Sequence, residues 1–203
     1  MKTLPAPRAT GLRPTRRQAL LAAAGVGLLL AACSEKKAEA PDAATPPDGR
    51  KAFDTALRGS GFVVGQATSA RQVMVFFDPQ CPHCAALWKA SQPLLDRVRM
   101  VWIPIAFVSP KSAPQAAALL STNDPQAAMD LHESRMSSGQ GGLEVQGTPA
   151  PELLAKVKAN TELLTSLGAD SVPYLVLRPA ADGPYTVVPG GLPTAELAKL
   201  LGL

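Results

Sequence analysis

The two cysteines of Cys81-Pro82-His83-Cys84 are the part of the sequence best suited to chemistry. Thiol–disulfide exchange needs one accessible thiolate and a second thiol that can reach it to resolve a mixed disulfide. If Cys81 is the N-cap of a helix and Pro82 its first residue, Cys84 lies one turn further along on the same side. The spacing therefore predicts a redox-active pair that requires no cofactor, with the sulfur of Cys81 exposed and that of Cys84 covered.

Two features would stabilise a thiolate on Cys81. A helix N-terminus presents partial positive charge and unpaired amide hydrogens. The imidazole of His83 can add a hydrogen bond or a positive charge. Because a stabilised thiolate stabilises the reduced form, both features make the disulfide more oxidising, and His83 is expected to tune the pair in that direction.

Three other roles for these cysteines stay open. A zinc site needs four ligands; apart from Cys33 the chain offers only Cys81, Cys84, His83 and His132, and His83 cannot easily turn toward the metal of its flanking cysteines. A structural disulfide across so short a loop would remove little entropy from the unfolded chain. The alternative function is a copper-binding lipoprotein or metallochaperone, because soft thiolates suit Cu(I).

The elements around the motif form a strand–helix–strand unit. Residues 71–77 are a run of β-favouring, mostly apolar residues, typical of a strand buried on both faces of a parallel sheet. Residues 81–97 have helical spacing with a kink expected at Pro93, and residues 101–108 predict a second buried strand. Pro104 has no amide hydrogen, so that strand must be bulged, lie at an edge, or be nearly finished there.

The rest of the domain, residues 50–203, completes an α/β order. A short helix and a lead-in strand are expected over residues 50–58 and 61–66. An all-helical insert over about residues 112–168 separates this βαβ half from a ββα half. The second half is predicted as a hairpin of residues 174–177 and 185–188, followed by a closing helix at 194–200.

Residues 1–32 have the build of an export signal, with a basic start, an apolar run and a small-residue end. The apolar run, residues 19–32, would be only about 21 Å long as a helix, which is shorter than a bilayer core. Residues 30–33, Leu-Ala-Ala-Cys, resemble the lipobox of bacterial lipoproteins, so we expect cleavage before Cys33 and acylation of its thiol. Residues 33–49 then form a flexible tether.

The formal net charge of +4 lies in this leader. Residues 1–32 hold five of the 20 basic side chains and no acid, which leaves 15 basic and 16 acidic side chains in the remainder. The exported part therefore has no basic signature for nucleic acid. Residues 15–21, Thr-Arg-Arg-Gln-Ala-Leu-Leu, also resemble a twin-arginine export signal, although an alanine stands where that family usually has an aromatic residue.

The segment around the cysteines, Phe-Phe-Asp-Pro-Gln-Cys-Pro-His-Cys at 76–84, resembles the thioredoxin-like domain of the periplasmic thiol:disulfide interchange proteins DsbC and DsbG. The likeness covers roughly residues 61–203. It implies a thioredoxin-like fold with a mixed sheet flanked by helices, and activity on protein thiols and disulfides with a membrane redox partner. It also implies that Val172 and Pro173 form a cis-proline loop beside the cysteines, whose backbone can pair with a bound substrate strand.

The sequence departs from this family in two ways. The Pro-His pair between the cysteines and the valine before the cis-proline are those of the oxidase DsbA, which gives the oxidase side of the chemistry more weight. The family's N-terminal dimerisation domain does not fit in residues 34–60, so we expect a monomer, anchored to the periplasmic side of a membrane by its lipid.

Three further side chains near the motif carry separate expectations. Trp88 is expected to pack in the core rather than to serve as a platform for substrate. His132 is expected on the surface of the insert. Asp78 could lie close enough to influence the proton of Cys84, or could cap the turn from strand to helix, and it is assigned no catalytic role.

Overall fold

The computed structural model describes residues 48–180 and 182–203, so the predicted signal peptide, the lipobox with Cys33 and almost all of the tether lie outside the described residues. The elements confirm the predicted order of βαβ, helices and ββα. In chain order they are α1 (Gly49–Ala56), β1 (Phe62–Gly65), β2 (Gln72–Phe77), α2 (Pro82–Ser91), a 3-10 turn (Gln92–Leu94), β3 (Arg99–Pro104), α3 (Ser112–Ser121), α4 (Pro125–Ser137), α5 (Pro151–Ser166), β4 (Tyr174–Arg178), β5 (Thr186–Pro189) and α6 (Thr194–Leu200).

The five strands form one mixed sheet in the order β1-β3-β2-β4-β5. Strands β2 and β3 are parallel and are joined through α2, as predicted. The other three pairs are antiparallel. At the centre, Val75 lies opposite Trp102 on one side and Leu175 on the other. The strand that leads into the cysteine motif is therefore held by a neighbour on both edges.

Strand β2 is buried on both faces, which explains its apolar run without alternation. Val73, Val75 and Phe77 belong to the core cluster that also contains both cysteines and Trp88 of α2. The alternate residues of the strand, Met74 and Phe76, belong to a second cluster that contains residues of α1 and α5. The cysteine motif thus rests on one face of the sheet, and α1 and α5 cover the other.

Two prolines set the ends of the elements beside the motif. Helix α2 ends at Ser91 and gives way to a 3-10 turn that contains Pro93, since proline cannot donate the next helical hydrogen bond. Strand β3 ends at Pro104, so the prediction of a strand over 101–108 is wrong in its second half. The backbone amides of Phe107 and Val108 leave the sheet and donate to the carboxylate of Asp78 instead.

The insert consists of α3, α4 and α5, which confirms its helical character. Helix α5 is tied to the sheet by Asn160, which is almost fully buried. Its amide nitrogen donates to the carbonyls of Ser60 and Pro104, both at 2.8 Å, and its oxygen accepts from the amide of Ser60. Over residues 48–180 and 182–203, no helix is both long and apolar enough to cross a bilayer.

Candidate active site

The cysteine motif begins where β2 ends and α2 starts. Cys81 is the N-cap of α2 and Pro82 is its first residue, as the spacing predicted. The carbonyl of Cys81 accepts from the amides of Cys84 at 3.0 Å and Ala85 at 3.2 Å, which closes the first turn. No side chain caps this helix, so its N-terminal amides are available to the sulfur of Cys81.

The two thiols differ strongly in acidity. A hydrogen bond from the Cys84 thiol is the largest effect on Cys81 and lowers the pKa of Cys81 to about 6, helped by backbone N–H groups of the first turn and by the charge of His83, and opposed by burial. Burial raises the pKa of Cys84 far above its ordinary range. At pH 7 Cys81 is therefore mostly thiolate, in about tenfold excess over the thiol, while Cys84 keeps its proton.

Cys81 is less accessible than the sequence predicts. The residue is only 6% exposed, against 1% for Cys84, so the expected contrast between an open and a covered sulfur is small. The loop between α5 and β4 covers Cys81, and its sulfur lies 3.4 Å from the carbonyl oxygen of Val172. Any molecule that reacts with Cys81 must therefore reach its sulfur beside this loop.

The Val172–Pro173 bond is cis, as the family resemblance implied. The carbonyl of Pro173 accepts from the amide of Gly190 at 2.8 Å, which joins the loop to the end of β5. Gly191 follows, with its backbone close to the carbonyl of His83 and to the ring of Pro173. Residues 172–173 and 190–191 therefore surround the same side of the motif, although they lie about 90 and about 110 residues away from it in sequence.

His83 is exposed, on the side of α2 that faces residues 191–193. A cleft of about 220 Å³ separates His83 and Leu87 from Gly191, Leu192 and Pro193. Among the causes that lower the pKa of Cys81, the charge of His83 ranks below the Cys84 thiol and the backbone amides. His83 thus makes a small contribution to lowering the pKa of Cys81, from the solvent-exposed side of the helix.

The side chain of Asp78 accepts hydrogen bonds from both the turn before Cys81 and the loop between β3 and α3. Its carboxylate is fully buried and accepts four hydrogen bonds. Within the turn it accepts from the amide of Gln80 at 2.8 Å, and across the sheet edge it accepts from the amides of Phe107 and Val108 and the hydroxyl of Ser112 at 2.6 to 2.9 Å. Asp78 thus caps the turn, and its hydrogen bonds extend to the loop between β3 and α3. The other role left open is present as well, because the charge of Asp78 is among the smaller causes that raise the pKa of Cys84.

The expectation that His132 lies on the surface is wrong, because its side chain is fully buried. Its Nε2 lies 2.7 Å from the carbonyl oxygen of Pro79, and its Nδ1 accepts from the amide of Leu143 at 3.1 Å. A carbonyl only accepts, so Nε2 carries the proton and the ring is neutral. Helix α4 is therefore bonded directly to the residues that precede Cys81.

Gln80 and Gln115 extend this contact, and sequence reasoning missed both. The side-chain nitrogen of Gln80 donates to the side-chain oxygen of Gln115 at 2.6 Å. Gln115 donates in turn to the carbonyls of Gly141 and Leu143. No sequence motif indicates such a role for a glutamine, and the partners of Gln80 lie up to 61 residues away.

Trp88 packs in the core, as predicted, and its ring meets that of Trp102 edge-on at a centroid distance of 5.1 Å. Its indole N–H donates to Asp130 of α4 at 2.9 Å. Within the described part of the chain, no group of three or more His, Cys, Asp or Glu side chains is arranged to hold a metal ion. The geometry therefore adds no support for the copper alternative.

Residues 62–203 match the protein family described as Thioredoxin-like domain. Among curated proteins, the chain is 31% identical over 144 residues to the thiol:disulfide interchange protein DsbG of Pseudomonas aeruginosa, covering 68% of this chain and 54% of that protein. It is 28% identical over 131 residues to DsbG of Escherichia coli K12, covering 64% of this chain and 52% of that protein. The chain thus spans about half the length of the curated relatives it matches.

Solved structures show the same fold. The catalytic domain of ScsC from Proteus mirabilis superposes with a TM-score of 0.61 at 19% identity, over 75% of this chain and 94% of that one. The thiol-disulfide exchange protein α-DsbA2 from Wolbachia pipientis superposes with a TM-score of 0.59 at 15% identity, over 75% and 91%. On its match over residues 62–203, the chain belongs to the thioredoxin-like domain family.

Proposed function

We propose that this protein is an extracytoplasmic thiol:disulfide oxidoreductase that exchanges disulfides with protein clients through Cys81 and Cys84. The observation that carries the proposal is the difference between the two thiols, one of low pKa at a helix N-terminus and one buried and protonated beneath it. The similarity to DsbG proteins supports the same class of reaction.

The proposed exchange has two steps. In the oxidising direction, a client thiolate attacks the sulfur of Cys81, and the electron pair of the broken disulfide passes to Cys84, which takes a proton. A second client thiolate then attacks the client sulfur of the mixed disulfide and expels the Cys81 thiolate, a good leaving group because of its low pKa. In the opposite direction, the Cys81 thiolate attacks a client disulfide and Cys84 resolves the intermediate.

The loop at Val172 and Pro173 is proposed to hold the client during these steps. The carbonyl of Val172 lies 3.4 Å from the Cys81 sulfur, so an extended client segment whose backbone pairs with Val172 would bring its own sulfur to Cys81. Backbone pairing of this kind is independent of the client's side chains. We therefore expect a range of protein clients and no cofactor beyond the cysteine pair itself.

Trapping of the intermediate tests the function. Cys84→Ala cannot resolve a mixed disulfide, so it should accumulate covalent adducts with an oxidised client peptide that a reductant releases. Cys81→Ser is the matched control and should form none and exchange no disulfides. If Cys81→Ser exchanged disulfides with a dithiol peptide at the rate of the unmodified protein, the assignment would be lost.

The reduction potential tests the direction. The pKa of Cys81, about 6, lies between those of the attacking cysteines of thioredoxin, about 7, and DsbA, about 3.5. We therefore expect a potential between those of the two proteins, about −270 mV and about −120 mV. A mostly oxidised pair in the cell would identify a donor of disulfides, and a mostly reduced pair an isomerase or reductase.

We also propose that the domain, residues 50–203, acts as a monomer in the periplasm, held to a membrane through acylated Cys33 and a tether of residues 33–49. The signal-like residues 1–32 support export, with the arginine pair supporting the twin-arginine route. A membrane redox partner would restore the cysteine pair. Incorporation of labelled palmitate into the cell-expressed protein, and its loss in Cys33→Ser, tests the anchor, and light scattering of the domain tests the monomer.

A further inference from the structure

Glu133 of α4 is a buried carboxyl group that the exchange mechanism above does not use. Its side chain is 9% exposed, and its Oε2 atom has no hydrogen-bond partner among the described residues. Asp78, the buried carboxylate of the active-site turn, is different, because four donors occupy its two oxygens. Glu133, in contrast, can accept a proton on Oε2 without losing a hydrogen bond.

Helix α4 places Glu133 beside the start of α2. Its neighbour His132 contacts the carbonyl of Pro79, which precedes Cys81. One turn earlier on α4, Asp130 accepts from the indole of Trp88, which follows the motif. Glu133 therefore sits on a helix that is bonded on both sides of Cys81, and it lines a groove of about 350 Å³ between the two helices together with Ala85, whose amide donates to the carbonyl of Cys81.

The charged groups around Glu133 come from both helices. Helix α2 contributes Cys81 and, at the exposed rim of the groove, Lys89. Helix α4 contributes Asp130, which is engaged by Trp88, and His132, which is neutral in its tautomer. Burial, followed by the negative charge of Cys81, raises the pKa of Glu133 to about 7. Among the neighbouring charges, that of Cys81 is the one that adds to burial in raising this pKa.

We propose that Glu133 binds a proton more tightly while Cys81 is a thiolate than when Cys81 is in the disulfide, so that reduction of the pair is coupled to the uptake of a fraction of a proton near pH 7. This inference rests on the proposed exchange function. Glu133 acts through the thiolate and does not touch the client, so it is a positioning residue. Its own protonation sets how much negative charge lies near Cys81.

The coupled step balances with a dithiol as the reductant. The donor gives two electrons, which break the Cys81–Cys84 bond, and becomes a disulfide. Of its two protons, one ends on the sulfur of Cys84, while Cys81 remains a thiolate. The other ends on the carboxylate of Glu133 in the molecules that take up this proton, and goes to solvent in the rest. In the reverse direction, formation of the disulfide returns the same protons, to the thiolates of the oxidant or to solvent through the groove.

Proton uptake can be measured on the unmodified protein. With glutamate labelled at the side-chain carboxyl carbon, the titration of Glu133 is followed by NMR in the reduced and the oxidised states, and the signal is assigned by its loss in Glu133→Gln. We expect a higher pKa in the reduced protein, and a pKa in Cys81→Ser that resembles the oxidised one. Equal pKa values in the two redox states would overturn the inference.

The reduction potential gives an independent readout. Against glutathione, Glu133→Gln should match the unmodified protein below about pH 5, where the carboxyl of the unmodified protein is mostly protonated in both redox states. Above about pH 8 the variant should be more oxidising, by about tenfold in the equilibrium constant or about 30 mV for two electrons. Glu152→Gln, the same change at an exposed position, should follow the unmodified protein at every pH.

The measurements of reduction potential distinguish a failure of the proton coupling from a failure of the exchange function. A difference in potential that is the same at every pH would indicate a structural effect and would overturn the coupling. The absence of any difference would overturn it as well, and in both cases the exchange function would stand. If the unmodified pair did not equilibrate with glutathione at all, the function would fail and the inference with it.

Discussion

Removing the hydrogen bond from the Cys84 thiol to the Cys81 sulfur is the strongest test of how this site stabilises a thiolate. Four effects lower the pKa of Cys81 from its ordinary 9.0 to about 6, and burial opposes them. A hydrogen bond to a charged group contributes about 1.5–3 kcal/mol. Removing the Cys84 thiol should therefore raise the pKa of Cys81 by about 1–2 pH units.

The perturbation is Cys84→Ala, compared with Cys84→Ser. Alanine removes the donor, whereas the serine hydroxyl can still donate to the thiolate. The thiolate's ultraviolet absorbance, followed against pH, reports ionisation of Cys81, and its rate of alkylation by iodoacetamide gives a second measure. We expect the pKa to be highest in the alanine variant and intermediate in the serine variant.

The comparison also identifies the result that would refute the reasoning. If Cys84→Ala left the pKa of Cys81 near 6, the thiolate would depend on the helix N-terminus and on His83 and not on its partner sulfur. If the alanine and serine variants rose equally, shape or solvent access rather than the hydrogen bond would explain the change. Cys81→Ser provides the baseline, since it removes the titrating group.

Two further predictions concern the contact between α4 and the turn before Cys81. Burial lowers the pKa of His132 below its ordinary 6.5, so the unfolded chain takes up a proton on this side chain first. His132 therefore makes the free energy of unfolding fall as the pH drops below about 6.5, by at most about 1.4 kcal/mol per pH unit, while Glu133, whose pKa is raised, acts in the opposite direction. Urea unfolding should show this slope reduced in His132→Gln relative to the unmodified protein and retained in His83→Gln; an equal slope in both variants would contradict it. Gly142 has a φ of +84°, and an added Cβ would lie 2.8 Å from His132 Nδ1, so Gly142→Ala should cost about 1–3 kcal/mol more than Gly147→Ala, which has a φ of +72° and open space around it. Equal losses of stability in the two alanine variants would show that backbone strain alone decides the outcome.

The sequence predicts those parts of the fold whose signals are local. The apolar run of β2 and the N-cap position of Cys81 depend on neighbouring residues, and the structure confirms them. The kink expected at Pro93 within a helix over residues 81–97 is wrong, because the helix ends at Ser91 and Pro93 lies in a 3-10 turn. The end of β3 is harder to predict, because Phe107 and Val108 favour strands yet are 43% and 52% exposed. Their amides are drawn out of the sheet by Asp78, a contact across about 30 residues that no periodicity reveals.

The insert is where sequence reasoning gives least. Its helices are recognisable from spacing and from caps such as Asp124, which accepts from the amide of Ala127. The orientation of α4 cannot be recognised from the sequence, because that helix has no clear apolar face and its buried residues include His132 and Glu133. Both polar groups are buried because of partners or neighbours on α2 and the active-site turn, which are distant in the chain.

The contact of α4 with both sides of Cys81 has a consequence for how such proteins diversify. Four residues, two of them cysteines, are commonly taken to specify the redox behaviour of a thioredoxin-like domain. Here a helix some fifty residues downstream supplies the neighbouring carboxyl group and the hydrogen bond to the preceding turn. Substitutions in that helix could reset the acidity and potential of the pair while the motif itself stays unchanged, so two chains that share Cys-Pro-His-Cys need not share a working potential.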